Sequence, residues 1–128
     1  MKGTYILLIC LEKDTEIPVG SLGTLFFKHG MYCYVGSAYG PGGIEARVKR
    51  HIKKEKRMRW HIDYLLKHAE VKEVFVKENG DEVGTAGCLS EMYNGVPGFG
   101  ASDSPLKSHL FMCSDTISLS ELGFTPYP

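Results

Sequence analysis

Residues 4–11, TYILLICL, form an unbroken run of aliphatic, β-branched and aromatic side chains that closes on the turn-like EKDTE. The run is strand-sized, far short of the roughly 20 apolar residues needed to cross a bilayer. Its composition suits a strand at the centre of a sheet. A second long strand follows at residues 30–38, GMYCYVGSA. Between them, Pro18 and glycines 20 and 23 break residues 16–27 into a short edge strand and a turn. Residues 4–38 therefore read as an antiparallel meander.

Beyond the meander, helical and strand patterns alternate. After the turn YGPGG, Ile44, Val48 and Ile52 recur every four residues, as an amphipathic helix requires. Those three define its buried stripe, with Lys49, Arg50 and Lys53 pointing away. Residues 60–68 read as a second helix, 71–77 as a strand ended by ENGDE, 82–93 as a third helix and 109–113 as a last strand. The stretch GVPGFGASDSP, rich in glycine and proline, is a surface loop. The tail from about residue 115 is expected to be poorly ordered or docked. The fold class is α/β in the α+β sense, a small antiparallel sheet flanked by helices.

A chain of 128 residues with 43% hydrophobic content fills one core of ordinary size, so residues 1–128 read as a single domain. No signal-peptide pattern precedes the first strand, and the chain reads as soluble and cytoplasmic, without a membrane partner. The four cysteines include no CxxC pair. They suggest buried free thiols rather than a zinc ribbon or a disulfide framework. Net charge is zero, yet residues 47–59 hold eight Lys or Arg against Glu55 alone, and the chain after His68 is predominantly acidic. A solvated helix face is the commoner reason for such a run, and phosphate binding by Lys49, Arg50, Lys53, Lys54, Lys56 and Arg57 is the alternative.

Arg47 and His51, one helical turn apart, fall beside the apolar stripe, where side chains reach over the rim of a sheet. Arginine grips two phosphate oxygens at once, and histidine donates a hydrogen bond or moves a proton near neutral pH. On the second long strand Tyr32, Tyr34 and Gly36 share one face, which Tyr5 joins if the strands pair suitably. The glycine-rich turn ahead of Arg47 lacks the spacing and lysine of a nucleotide-binding P-loop. His61, Asp63 and His68 complete no recognisable zinc spacing.

Gly3-Thr4-Tyr5 in a first strand, Tyr34-Val35-Gly36 in a later one, and Arg47 and His51 on the following helix together resemble the GIY-YIG endonuclease signature. With VGSLG, YVGSAYGPGG, RHIKKEKRMRWHIDYLL, GFGASDS and SHLF, nearly the whole chain is similar to one archaeal and bacterial branch of that superfamily, in some proteins a module appended to DNA-repair glycosylases. The resemblance implies a three-stranded antiparallel sheet flanked by helices, with an extra hairpin between Tyr5 and Tyr34. It also implies hydrolysis of DNA phosphodiesters with one divalent cation, Mg²⁺ or Mn²⁺. Tyr5 would be the base and Tyr34 its partner, Arg47 would hold the scissile phosphate, and His51 would assist by hydrogen bonding. A phenol with its ordinary pKa near ~10 serves as base only if Arg47 and the metal lower that value.

Three positions depart from that pattern. The metal-binding glutamate is expected immediately before Cys88, where this chain has Gly87; Glu91, one turn further on, is the substitute. In GFGASDS, Ser104 and Leu106 stand where the branch has cysteines, which removes any redox or metal role there. The functional expectation is a DNA endonuclease domain acting in repair or processing, with DNA and a DNA-repair protein as partners. The alternatives are a non-catalytic nucleic-acid-binding module, and a protein-interaction module using the acidic C-terminal half and the FGASDS loop.

Overall fold

The computed structural model describes residues 1–101, 107–113 and 117–127. Ser104 and Leu106 lie outside the described residues. Strand β1 (Gly3–Leu11) runs through the middle of a six-stranded antiparallel sheet. Along its full length it pairs with β4 (Gly30–Ala38), from Gly3 opposite Ala38 to Leu11 opposite Gly30. On its other edge it pairs with β5 (Glu70–Glu78), with a register shift between Leu8 and Ile9. Short strands extend this three-stranded centre on both sides. Strands β7 (Leu110–Met112) and β6 (Asn94–Gly95) lie beyond β4, and β8 (Thr125–Pro126) lies beyond β5.

The apolar run of β1 has a direct cause. Side chains alternate across a strand, and here both faces are covered. Tyr5, Leu7, Ile9 and Leu11 pack with helix α1 (Gly43–Ile52) and helix α2 (His61–Leu66) on one side. Ile6 and Leu8 pack on the other with Phe75, Phe111 and the inner face of helix α3 (Glu82–Met92). Part of the C-terminal tail joins this second layer. Leu119 of helix α4 (Ile117–Glu121) and Phe124 are buried there, and Thr125 pairs with Val76, so the described tail is docked.

Three expectations are corrected. The segment from β1 to β4 is not a meander, because β2 (Thr15–Pro18) and β3 (Thr24–Phe27) form a separate two-stranded sheet. Both edges of β1 are already taken by β4 and β5, so the hairpin has no free edge to join. It folds instead against α2 and the first core through Ile17, Val19 and Phe27. On α1 the buried stripe is Ile44, Val48 and His51, while Ile52 is 55% exposed. At 3.6 residues per turn, a step of seven returns to within about 20° of the starting direction, whereas a step of eight overshoots by about 80°. The thiols also differ from expectation. Cys33 and Cys113 are buried, but Cys10 is half-buried and Cys88 exposed. Among the described residues no helix is long and apolar enough to cross a membrane.

Candidate active-site cleft

Where α1 crosses the end of the β1–β4 pair, the sheet opens into a cleft of about 440 Å³. Its floor is set by one glycine. Tyr5 lies directly opposite Gly36 in the β1–β4 register, and a Cβ on Gly36 would collide with the hydroxyl end of the Tyr5 phenol. The missing side chain lets the phenol lie across β4 and reach α1. There Tyr5 Oη and His51 Nε2 share a buried hydrogen bond of 2.7 Å. Tyr34 stands edge-on to the same imidazole, ring centroids 6.2 Å apart.

Start-up of α1 fixes the height of this arrangement. Gly43, at φ 62°, sits against the Met1 carbonyl where a Cβ could not fit. The Ile44 amide then donates to Met1 O at 2.7 Å, which ties the first turn of the helix to the start of β1. Arg47 follows on the cleft side, and His51 one turn later lies beneath Tyr5.

Asp63 organises the opposite wall. Its side chain is fully buried and accepts Arg50 Nη1 on Oδ1 at 2.8 Å and Arg50 Nη2 on Oδ2 at 2.9 Å. Oδ2 also accepts the amides of Arg59 at 2.8 Å and Trp60 at 2.9 Å, so Asp63 caps the start of α2. Trp60 and His61 thereby face the cleft. His61 Nδ1 accepts the Gly100 amide at 2.9 Å. That bond requires an unprotonated Nδ1, so the neutral ring carries its proton on Nε2. The glycine-rich loop is held from inside by Phe99, which is fully buried and stacks edge-on against Tyr34 and His61.

Burial dominates the electrostatics. It raises the Tyr5 phenol well above its ordinary pKa; Arg47 opposes the shift without cancelling it, and Glu82 adds to it. Arg47 alone therefore does not bring the Tyr5 phenol below its ordinary value. Tyr34 is raised as well, again chiefly by burial. Burial also pushes His51 down to about 4, so at neutral pH the imidazole is uncharged. Its Nδ1 is buried without a hydrogen-bond partner.

Of the residues picked from sequence, Tyr5, Tyr34 and Arg47 line the cleft, and His51 lies directly behind Tyr5. The six basic candidates do not line it. Arg50 is committed to Asp63. Lys56 Nζ donates to the carbonyls of His51 at 2.8 Å and Lys53 at 2.7 Å, closing the end of α1. Lys54 Nζ reaches Ala69 O at 3.4 Å. Lys49, Lys53 and Arg57 are exposed.

Glu91 is also exposed, outside the cleft. The acidic side chain that does line the cleft is Glu82, in the first turn of α3. On a helix Glu91 lies about 180° around from Glu82, and Gly87 about 140° around. Glu82 instead shares its face with buried Thr85, Ala86 and Leu89. Its carboxyl is half-buried and its pKa is raised by burial, with Arg47 pulling the other way.

Among the described residues no group of three or more His, Cys, Asp or Glu could hold a metal ion by itself. The donor set does fit a magnesium-like cation. Such ions bind through one or two carboxylates and complete their shell with water and substrate phosphate oxygens. A cation beside Glu82 would also offset the cost of desolvating its charge.

Gly36→Ala is expected to displace the Tyr5 ring and break its bond to His51. Overpacking of this kind costs about 1–3 kcal/mol, and a ring moved by about 1 Å can cost on the order of 10²-fold in a positioned reaction. Denaturant midpoints and the His51 ring-proton shifts read the change. An unaltered midpoint with unaltered His51 shifts would show that Gly36 does not set the position of Tyr5.

A family model described as "Domain of unknown function DUF123" matches residues 4–123. No curated protein and no solved structure matches the chain.

Proposed function

We propose that this chain, which belongs to the DUF123 family, is a DNA-processing nuclease domain of GIY-YIG type whose cleft hydrolyses phosphodiesters. The observation that carries the reading is the buried Tyr5–His51 pair at the back of a cleft that also presents Arg47 and Glu82. Four chemically distinct tasks of phosphoryl transfer have a side chain within one small volume.

Arg47 makes no ion pair among the described residues, and its planar fork suits two oxygens of one phosphate. Tyr5 faces the same space and can take a proton from an attacking water while passing its own to His51 Nε2. That transfer uses the tautomer with the ring proton on Nδ1; the imidazole is neutral at neutral pH, and because burial makes it a weak base, the transfer relies on the negative charge of a bound phosphate to stabilise the imidazolium. Tyr34 walls the other side of His51 and keeps bulk water from the relay. Glu82 is the side chain that would hold a divalent cation, Mg²⁺ or Mn²⁺; when bound, that ion neutralises charge on the phosphate and leaving oxygen.

A silent nucleic-acid-binding module is the rival reading, favoured by the raised pKa values of both phenols. Incubating the protein with branched, flapped and duplex DNA, with and without Mg²⁺ or Mn²⁺, separates the two. Cation-dependent strand cleavage is the expected result. Salt-sensitive binding without cleavage under every condition would leave the silent module.

A further inference from the structure

Three guanidinium groups converge on one indole. From the centroid of the Trp60 ring, Cζ of Arg50 lies at 4.3 Å, that of Arg47 at 4.6 Å and that of Arg59 at 5.1 Å. All three lie inside the roughly 6 Å over which an aromatic face attracts a cation. Three like charges around one ring also repel one another. Arg50 is neutralised by the buried carboxylate of Asp63. Arg47 and Arg59 make no ion pair among the described residues, and both line the cleft with Trp60 between them.

The arrangement is held from the backbone. The Arg59 and Trp60 amides are fixed by the same Asp63 oxygen, so the indole and the start of the Arg59 side chain are tied to the buried core. Stacking then restricts where each guanidinium fork can point. Two cations held beside one cleft, neither in an ion pair among the described residues, suit a pair of anionic groups.

The geometry points to a two-phosphate clamp in which Arg47 holds one phosphate and Arg59 its neighbour along the same strand, with Trp60 the platform that orients both. This rests on the phosphodiester reading of the cleft and narrows it. The substrate is a polynucleotide strand rather than a mononucleotide or an isolated phosphate ester. Guanidiniums stacked on one ring can lie no further apart than their two stacking distances combined. That reach leaves room for two separate phosphate groups of one strand, each taken by its own guanidinium fork. Trp60 is a positioning residue, because its effect passes through the two arginines.

The test is the salt dependence of binding to a fluorescently labelled single strand and to its duplex, without divalent cation. Arg59→Ala, at an exposed position, is expected to weaken binding about tenfold, the worth of one charge-assisted hydrogen bond. It should also lower the slope of log K against log salt by about 0.9 on duplex or about 0.7 on single strand. Arg59→Lys keeps the charge but not the flat fork. It should keep the slope and still bind several-fold more weakly, as should Trp60→Leu. Wild-type affinity and slope in Arg59→Ala, beside weakened binding in Arg47→Ala, would overturn the clamp and leave the phosphodiester reading standing. Wild-type behaviour of both Arg59→Lys and Trp60→Leu would overturn the platform role of Trp60. A wild-type protein that binds neither probe would overturn the clamp and the nuclease reading together.

Discussion

Glu82→Gln is expected to lower cation-dependent DNA cleavage by about 10³-fold while leaving the fold and DNA affinity close to wild type. A metal ion at a transferring phosphate supplies several kcal/mol of charge stabilisation, and each factor of ten in rate corresponds to about 1.36 kcal/mol. Glutamine preserves the shape of Glu82 and the packing of its helix face. Its amide is a poor substitute for a carboxylate on a hard cation. Single-turnover cleavage at increasing Mn²⁺ reads the loss. Glu91→Ala serves as the control, since Glu91 is exposed outside the cleft. Full activity in Glu82→Gln, or an equal loss in Glu91→Ala, would remove Glu82 from the site.

Arg50→Ala is expected to be the most destabilising change in the basic segment. Asp63 has no exposed side-chain surface, and Arg50 is the cation that matches it. Burial raises the Asp63 carboxyl, but Arg50 and the Trp60 and Arg59 amides outweigh it and hold the pKa below the usual carboxylate value. Removing one partner of a buried pair costs about 3–5 kcal/mol because the other charge stays buried. That is a large part of the roughly 5–15 kcal/mol that stabilises an ordinary domain. Urea denaturation should show a lower midpoint at unchanged slope. Lys49→Ala, at an exposed position, should stay within about 0.5 kcal/mol of wild type. Equal midpoints for the two variants would mean that the Arg50–Asp63 pair contributes no net stability.

The same segment shows where reading the sequence stops. Eight basic residues within residues 47–59 look alike along the chain, and their roles diverge only in three dimensions. Arg50 is drawn to Asp63, thirteen residues away, and Lys56 folds back from the connector onto the end of α1. Arg59 reaches the cleft because it sits just before α2 rather than on the face of α1. The partners of Arg50 and Arg59 are not set by local spacing.

Strands and helices were legible because alternation and helical periodicity report local burial. The two long strands lie where their patterns suggest, and the helices after them start within one residue of expectation, although α2 ends at Leu66 rather than His68. The path of the β2–β3 hairpin was not legible, since it depends on which edges of β1 are already occupied. His51 could have been placed in the buried stripe by counting seven residues from Ile44 instead of eight. Glu82 carried a usable signal too, in register with Ala86 and Leu89 on one helix face. Glu91, chosen for its nearness to Gly87, lies on the opposite face, and Gly87 itself has nothing within 4 Å of where its Cβ would be.

The proposed phosphodiester-cleaving cleft joins Tyr5, Arg47 and Glu82 with His51 behind them. Its most direct test is single-turnover cleavage of one flapped DNA at saturating Mn²⁺, with wild type and Arg47→Ala compared at protein concentrations that bind all of the DNA. Cleavage by the wild type is expected to disappear on chelation and to fall by about 10²–10³-fold in Arg47→Ala, the cost of removing one preorganised donor at a developing charge. Fully bound DNA that stays intact with the wild-type protein, or cleavage undiminished in Arg47→Ala, would contradict the nuclease reading.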